Sequence, residues 1–185
     1  MSNHIIFHAA KEGYENLQLF GDEPKARELS NVIKQHALLG TAAGIIPVPG
    51  ADIAALVANT WTMYVRINNV VGVSFGDNVL KSIASGIIAN LASLIPGIAL
   101  AIGTGSLLKF IPGIGTAGGI VVAAAANVAV MYVAGNVYLK SLEILIHSDK
   151  PLTEENIKMA AEQISKDKDF VEKAYAEGKE VAKNR

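Results

Sequence analysis

Apolar positions recur at helical spacing near both ends of the chain and merge into unbroken runs in its middle. Near the N-terminus, Leu29, Val32, Ile33 and Ala37 fall on one helical face, with Asp22 placed to cap that helix and Pro24 tolerated in its first turn. Toward the other end, Ile157, Ala160, Ala161 and Ile164 form a second apolar stripe. Thr153 is its predicted N-cap, and Leu152 and Ile157 are spaced as a hydrophobic staple. After an interruption at "SKDKD", the residues Phe170, Val171, Ala174 and Tyr175 continue a second short amphipathic stretch.

The centre is rich in Ala, Leu, Ile, Val and Met and shows no strand alternation. Three Pro-Gly breaks punctuate it: "IIPVPGAD" with Pro47, Pro49 and Gly50, "LIPGIAL" with Pro96 and Gly97, and "FIPGIG" with Pro112, Gly113 and Gly115. Proline stops or kinks a helix and the adjoining glycine permits a sharp reversal. The prediction is therefore an all-α protein in which apolar helical hairpins, joined by Pro-Gly turns, are flanked by amphipathic helices. "ANTWTMYVRIN" at 58–68 and "ANVAVMYVAGN" at 126–136 match at six of eleven positions, a weak sign of a duplicated turn-plus-helix unit.

Charge sharpens this division. Residues 1–36 carry four basic and five acidic side chains, and residues 140–185 carry nine and ten. Between them stand only Asp52, Arg66, Asp77, Lys81 and Lys109. Three parts follow from composition: a charged N-terminal arm at 1–36, an apolar core at 37–140 and a charged C-terminal arm at 141–185. Residues 116–139 are free of charge and as a helix would reach about 36 Å, enough to cross a bilayer; the runs at 82–95 and 98–108 are shorter. Two environments fit. In a bilayer, small residues such as Ser85, Gly86, Ala89, Ala92 and Ser93 would let helices approach closely. In a soluble bundle, the apolar segments would form a core covered by the charged terminal helices.

Overall composition removes several function classes. A net charge of -1 gives no electrostatic case for nucleic acid. With no cysteine, disulfide and thiolate chemistry are excluded and a reducing cytoplasmic setting is compatible. The opening residues lack the basic and apolar regions of a secretory signal.

Candidate chemistry is sparse. Gly113, Gly115 and Gly118 have the spacing of a dinucleotide-binding fingerprint, but no strand precedes them and the first carboxylate downstream is Glu143. A turn followed by a close-packing helix explains them better. "GTGSLLK" at 103–109 lacks the second glycine and terminal Ser/Thr of a phosphate-binding loop. His4, His8 and Glu12 share a helical face, an arrangement more common as an unliganded tail than as a metal site. His36 and His147 lie at element ends and suggest no site. No catalytic, cofactor or metal residue is assigned. The remaining constellation is polar: Asp52, Asn59 and Arg66 are spaced by seven on one helical face, and Asn90 and Asn127 lie inside apolar segments. One reading makes Asp52 a helix cap and Arg66 an exposed end residue. The other makes the asparagines and Arg66 interhelical glue or the lining of a cavity, because buried polar groups must find partners.

"IIPVPGADIAALVANTWTMYVRI" together with "KFIPGIGTAGGIVVAAAANVAVMYVAG" resembles the YcjF-like, GTPase-associated family of unknown function. The resemblance covers about residues 36–140 and rests on Pro49, Gly50, Ala51 and Asp52, then Ile111, Pro112, Gly113 and Gly115, with Gly135 closing the helix. It implies a helical, membrane-associated bacterial domain working with an Era-like GTPase, here in trans because the chain has no GTPase domain of its own. It supplies no catalytic residue. The expected function is a non-enzymatic adaptor or assembly module, a homo-oligomer on the cytoplasmic side of the inner membrane. A small-solute or ion conduit of oligomerised hairpins and a soluble self-assembling bundle are the alternatives.

Overall fold

The computed structural model describes residues 23–43, 51–94 and 118–183, with side chains over 24–40, 54–93 and 124–183. These residues form six helices: α1 (Glu23–Ala43), α2 (Ala51–Val71), α3 (Asp77–Leu94), α4 (Gly118–His147), α5 (Glu154–Lys166) and α6 (Lys168–Lys183). The all-α prediction holds. The Pro-Gly positions Pro47, Pro49, Gly50, Pro96, Gly97, Pro112, Gly113 and Gly115 lie outside the described residues, as do Asp22, His4, His8 and Glu12. The composition boundaries at 36 and 140 fall inside α1 and α4, so the change in charge density does not coincide with a break in the backbone.

α4 organises the bundle. Its Ala, Val and Tyr residues surround the helix on every side, and each residue from 126 to 139 is buried. A helix apolar all round must be enclosed. α1 and α6 cover it most extensively, and α5, α2 and α3 complete the enclosure. Its segment Ala124–His147 is the one stretch among the described residues long and apolar enough to cross a membrane, yet its window is 83% buried within the bundle. The charged terminal helices thus cover the apolar core.

Three close approaches set the packing. A Cβ at Gly178 would stand 2.7 Å from Ala129 Cα, one at Gly135 would stand 2.9 Å from Ile33 Cγ2, and one at Gly40 would stand 3.3 Å from the Asn127 carbonyl oxygen. The small residues of α3 are used differently from the sequence expectation. Ser85, Ala89 and Ser93 are exposed, while Leu80, Ile83, Ile87, Ile88 and Leu91 fill the interior. Turning the larger aliphatic side chains inward removes more apolar area from water.

Local caps fix the helix ends. Gly72, at φ 84°, ends α2, with its N–H and that of Val73 donating to the Asn68 carbonyl. Thr153 accepts from Asn156 N–H at 3.2 Å, as predicted for the α5 N-cap. In the "SKDKD" interruption, Asp167 Oδ1 accepts from Phe170 N–H at 3.1 Å and starts α6.

Candidate functional site

Asn59 and Arg66 lie two turns apart on α2 and meet α1 at His36. Asn59 Oδ1 accepts from His36 Nδ1–H at 2.8 Å, while Asn59 Nδ2 donates to the His36 carbonyl at 2.8 Å. This reciprocal pair leaves Nε2 of the neutral ring as an acceptor, and Arg66 Nη1 lies 3.4 Å from it. The same guanidinium nitrogen donates to Gln35 Oε1 at 3.0 Å. Desolvation pulls the His36 pKa below its ordinary value, and the neighbouring Arg66 charge acts in the same direction. Asn59 and Arg66 therefore join two helices, although Arg66 itself is exposed. The other residues of the sequence constellation lie elsewhere. Asp52 is in the first turn of α2 with its side chain outside the described set, Asn90 is half-buried on α3, and Asn127 is buried on α4. The sequence expectation that His36 lies at an element end and suggests no site is corrected: it lies inside α1 and is the centre of this network. The available signal was its spacing of seven from Leu29 and three from Ile33, which puts it on the buried stripe of α1.

A second network ties α2 to α4. The Tyr64 and Tyr138 rings stack with centroids 3.9 Å apart. Tyr64 Oη donates to the Ala134 carbonyl at 3.1 Å and Tyr138 Oη donates to Asn68 Oδ1 at 2.7 Å. Burial raises both phenol pKa values, keeping the hydroxyls protonated as donors. Asn68 Nδ2 is buried without a partner.

These contacts also give the direction of each helix. On α1, Gly40 lies against Met131 and Asn127, and Ile33 against Gly135, so α1 runs antiparallel to α4. On α2, Thr60 reaches Met131 and Asn68 reaches Tyr138, so α2 runs parallel to α4. α3 returns along α2 after the short 72–76 connection. The C-terminal ends of α1 and α3 and the N-terminal ends of α2 and α4 consequently lie at one end of the bundle. The segments 44–50 and 95–117 leave from those four helix ends. By sequence they are "GIIPVPG" and "IPGIALAIGTGSLLKFIPGIGTA", with Lys109 as their one charged residue. The opposite end carries the 148–153 connection, which contains Asp149 and Lys150.

No protein-family model matches the chain, and no solved structure matches it. The chain is 34% identical over 113 residues to a protein of Magnetospirillum gryphiswaldense named Magnetosome membrane protein 22. That match covers 61% of this chain and 56% of the relative, so the chain spans little more than half of that protein's length.

Proposed function

We propose that the protein is a non-enzymatic, membrane-associated helical module held to the cytoplasmic face of a bacterial inner membrane through segments 44–50 and 95–117. The bundle then stands in water as an adaptor surface. The observation carrying this reading is that both charge-poor segments depart from one end of a bundle whose own spanning-length helix is already enclosed. Burying about one apolar side chain after another in hydrocarbon gains roughly 1.5–3 kcal/mol each, so a few from these segments suffice for anchoring. The name of the magnetosome relative supports a membrane setting for the region the two chains share. A GTPase partner in trans, which the YcjF-like resemblance implies, and a second copy of this chain would both meet the polar outer faces of α1 and α6.

Vesicle flotation and carbonate extraction test the anchoring. The full chain is expected to float with phosphatidylethanolamine–phosphatidylglycerol vesicles and to stay in the membrane pellet after alkaline washing. Leu100→Asp combined with Ile102→Asp should release it while preserving helical circular dichroism and the thermal midpoint. A chain that is monodisperse in detergent-free buffer and never floats would refute the reading.

A further inference from the structure

Between the first half of α1 and the second half of α2 runs a cleft of about 430 Å³. Its described walls come from both helices: Lys25, Glu28 and Val32 from α1, and Arg66, Asn69 and Val70 from α2. The cleft is charged toward its two ends and apolar between them. Arg66 Nη1 is pinned by its bond to Gln35 Oε1 at 3.0 Å, beside the His36 ring. The other edge of the guanidinium, Nε and Nη2, has no partner among the described residues. Glu28 lies seven residues before Gln35, about 10 Å along α1. Its exposed carboxylate makes no hydrogen bond or ion pair among the described residues, so it does not pair with Arg66. Buried Val32 and half-buried Val70 line the stretch between the two charges. Lys25 already has an interaction of its own, so the cationic side of the cleft is Arg66.

We propose that this cleft binds a small zwitterion whose carboxylate and ammonium are separated by a short apolar chain. The carboxylate accepts from Arg66 Nε–H and Nη2–H, a pair of parallel donors whose spacing matches its two oxygens, and Asn69 Nδ2 adds a further donor. The ammonium donates to Glu28, and the chain lies on Val32 and Val70. Because Gln35 already holds Nη1, the guanidinium is oriented before the ligand arrives, which lowers the ordering cost of binding. A zwitterion leaves both protein charges paired, whereas a simple anion on Arg66 would face the unpaired charge of Glu28. Glu28 and Arg66 each stand 15 residues, about 22 Å, from the end of their helix that adjoins segment 44–50. The site is thus remote from the proposed anchor, and the inference is independent of it.

The test is calorimetric titration of the full chain with ε-aminocaproate at neutral pH and low ionic strength. Caproate and hexylamine, which carry one of the two charges each, serve as comparison probes. Saturable binding of ε-aminocaproate is expected, about tenfold tighter than that of either comparison probe. It should weaken about tenfold in Arg66→Gln and in Glu28→Gln, the scale of one lost hydrogen bond between charged groups. Glu28→Gln should bind caproate more tightly than the wild type does, because it removes the repelling carboxylate; a damaged fold would not produce that reversal. Its melting temperature should match the wild type, since the exposed carboxylate it replaces has no partner to lose. Absence of saturable ε-aminocaproate binding, equal affinity for caproate, or unchanged affinities in Glu28→Gln would overturn the assignment.

Discussion

At the scale of single residues, Asn59 fastens α1 to α2 by satisfying both the ring and the carbonyl of His36. Asn59→Ala leaves two part-buried polar groups without these partners and should cost about 1–3 kcal/mol in urea unfolding. His36 also couples the fold to pH. Its folded pKa is depressed below 6.5, so the unfolded chain binds the proton more readily. The stability it contributes is complete above 6.5 and is lost as pH falls through the lower folded value. His36→Gln should flatten that part of the decline in unfolding free energy between neutral and mildly acidic buffer. Gly178 poses a different constraint. Alanine there would gain about 1 kcal/mol of helix propensity, but its methyl group would press on the backbone of Ala129 and on Tyr132 Cβ. Overpacking should win and leave Gly178→Ala destabilised by about 1–3 kcal/mol. Gly135→Ala should also destabilise, because the Ile33 Cγ2 and Cγ1 that it meets sit on the branched Cβ of a fully buried, stiff side chain.

Among the elements, α4 carries the largest obligation, since no face of it is suited to water. α6 covers much of it through the contact at Gly178, with Val171 and Ala174 also buried. A chain ending at Asp167 should therefore expose the Ala129–Tyr132 region, bind a hydrophobic dye and self-associate in size-exclusion chromatography. The stacked Tyr64 and Tyr138 hold α2 and α4 in parallel register. The weak sequence repeat places Tyr132, rather than Tyr138, in correspondence with Tyr64. The residues that match in sequence are thus not the ones that stack.

For the whole molecule, the proposed anchoring turns on which end of the bundle meets lipid. If it is the end where α1 and α3 finish and α2 and α4 begin, the single tryptophan reports on it. Trp61 is half-buried and about 15 Å along α2 from Ala51, with Lys81 Nζ 4.6 Å from its ring centroid. Its fluorescence should be little quenched by brominated lipids when the chain is bound to vesicles. Strong quenching would instead place α2 and α3 within the hydrocarbon.

The sequence by itself determined the helical class, the stripes of α1 and α5, the Thr153 cap and the concentration of charge in the terminal parts. Each follows from spacing and local chemistry within a few turns. Asn59 and Arg66 were legible as one polar face for the same reason. Only the tertiary structure decided that His36 receives them, because that partner is supplied by another helix 23 positions from Asn59. Tertiary packing also decided what covers α4: its length and apolarity suit a bilayer and a protein core alike, and five neighbouring helices enclose it. The gathering at one end of the four helix ends that adjoin segments 44–50 and 95–117 is likewise invisible in the linear chain, since it depends on which helices run parallel and which return.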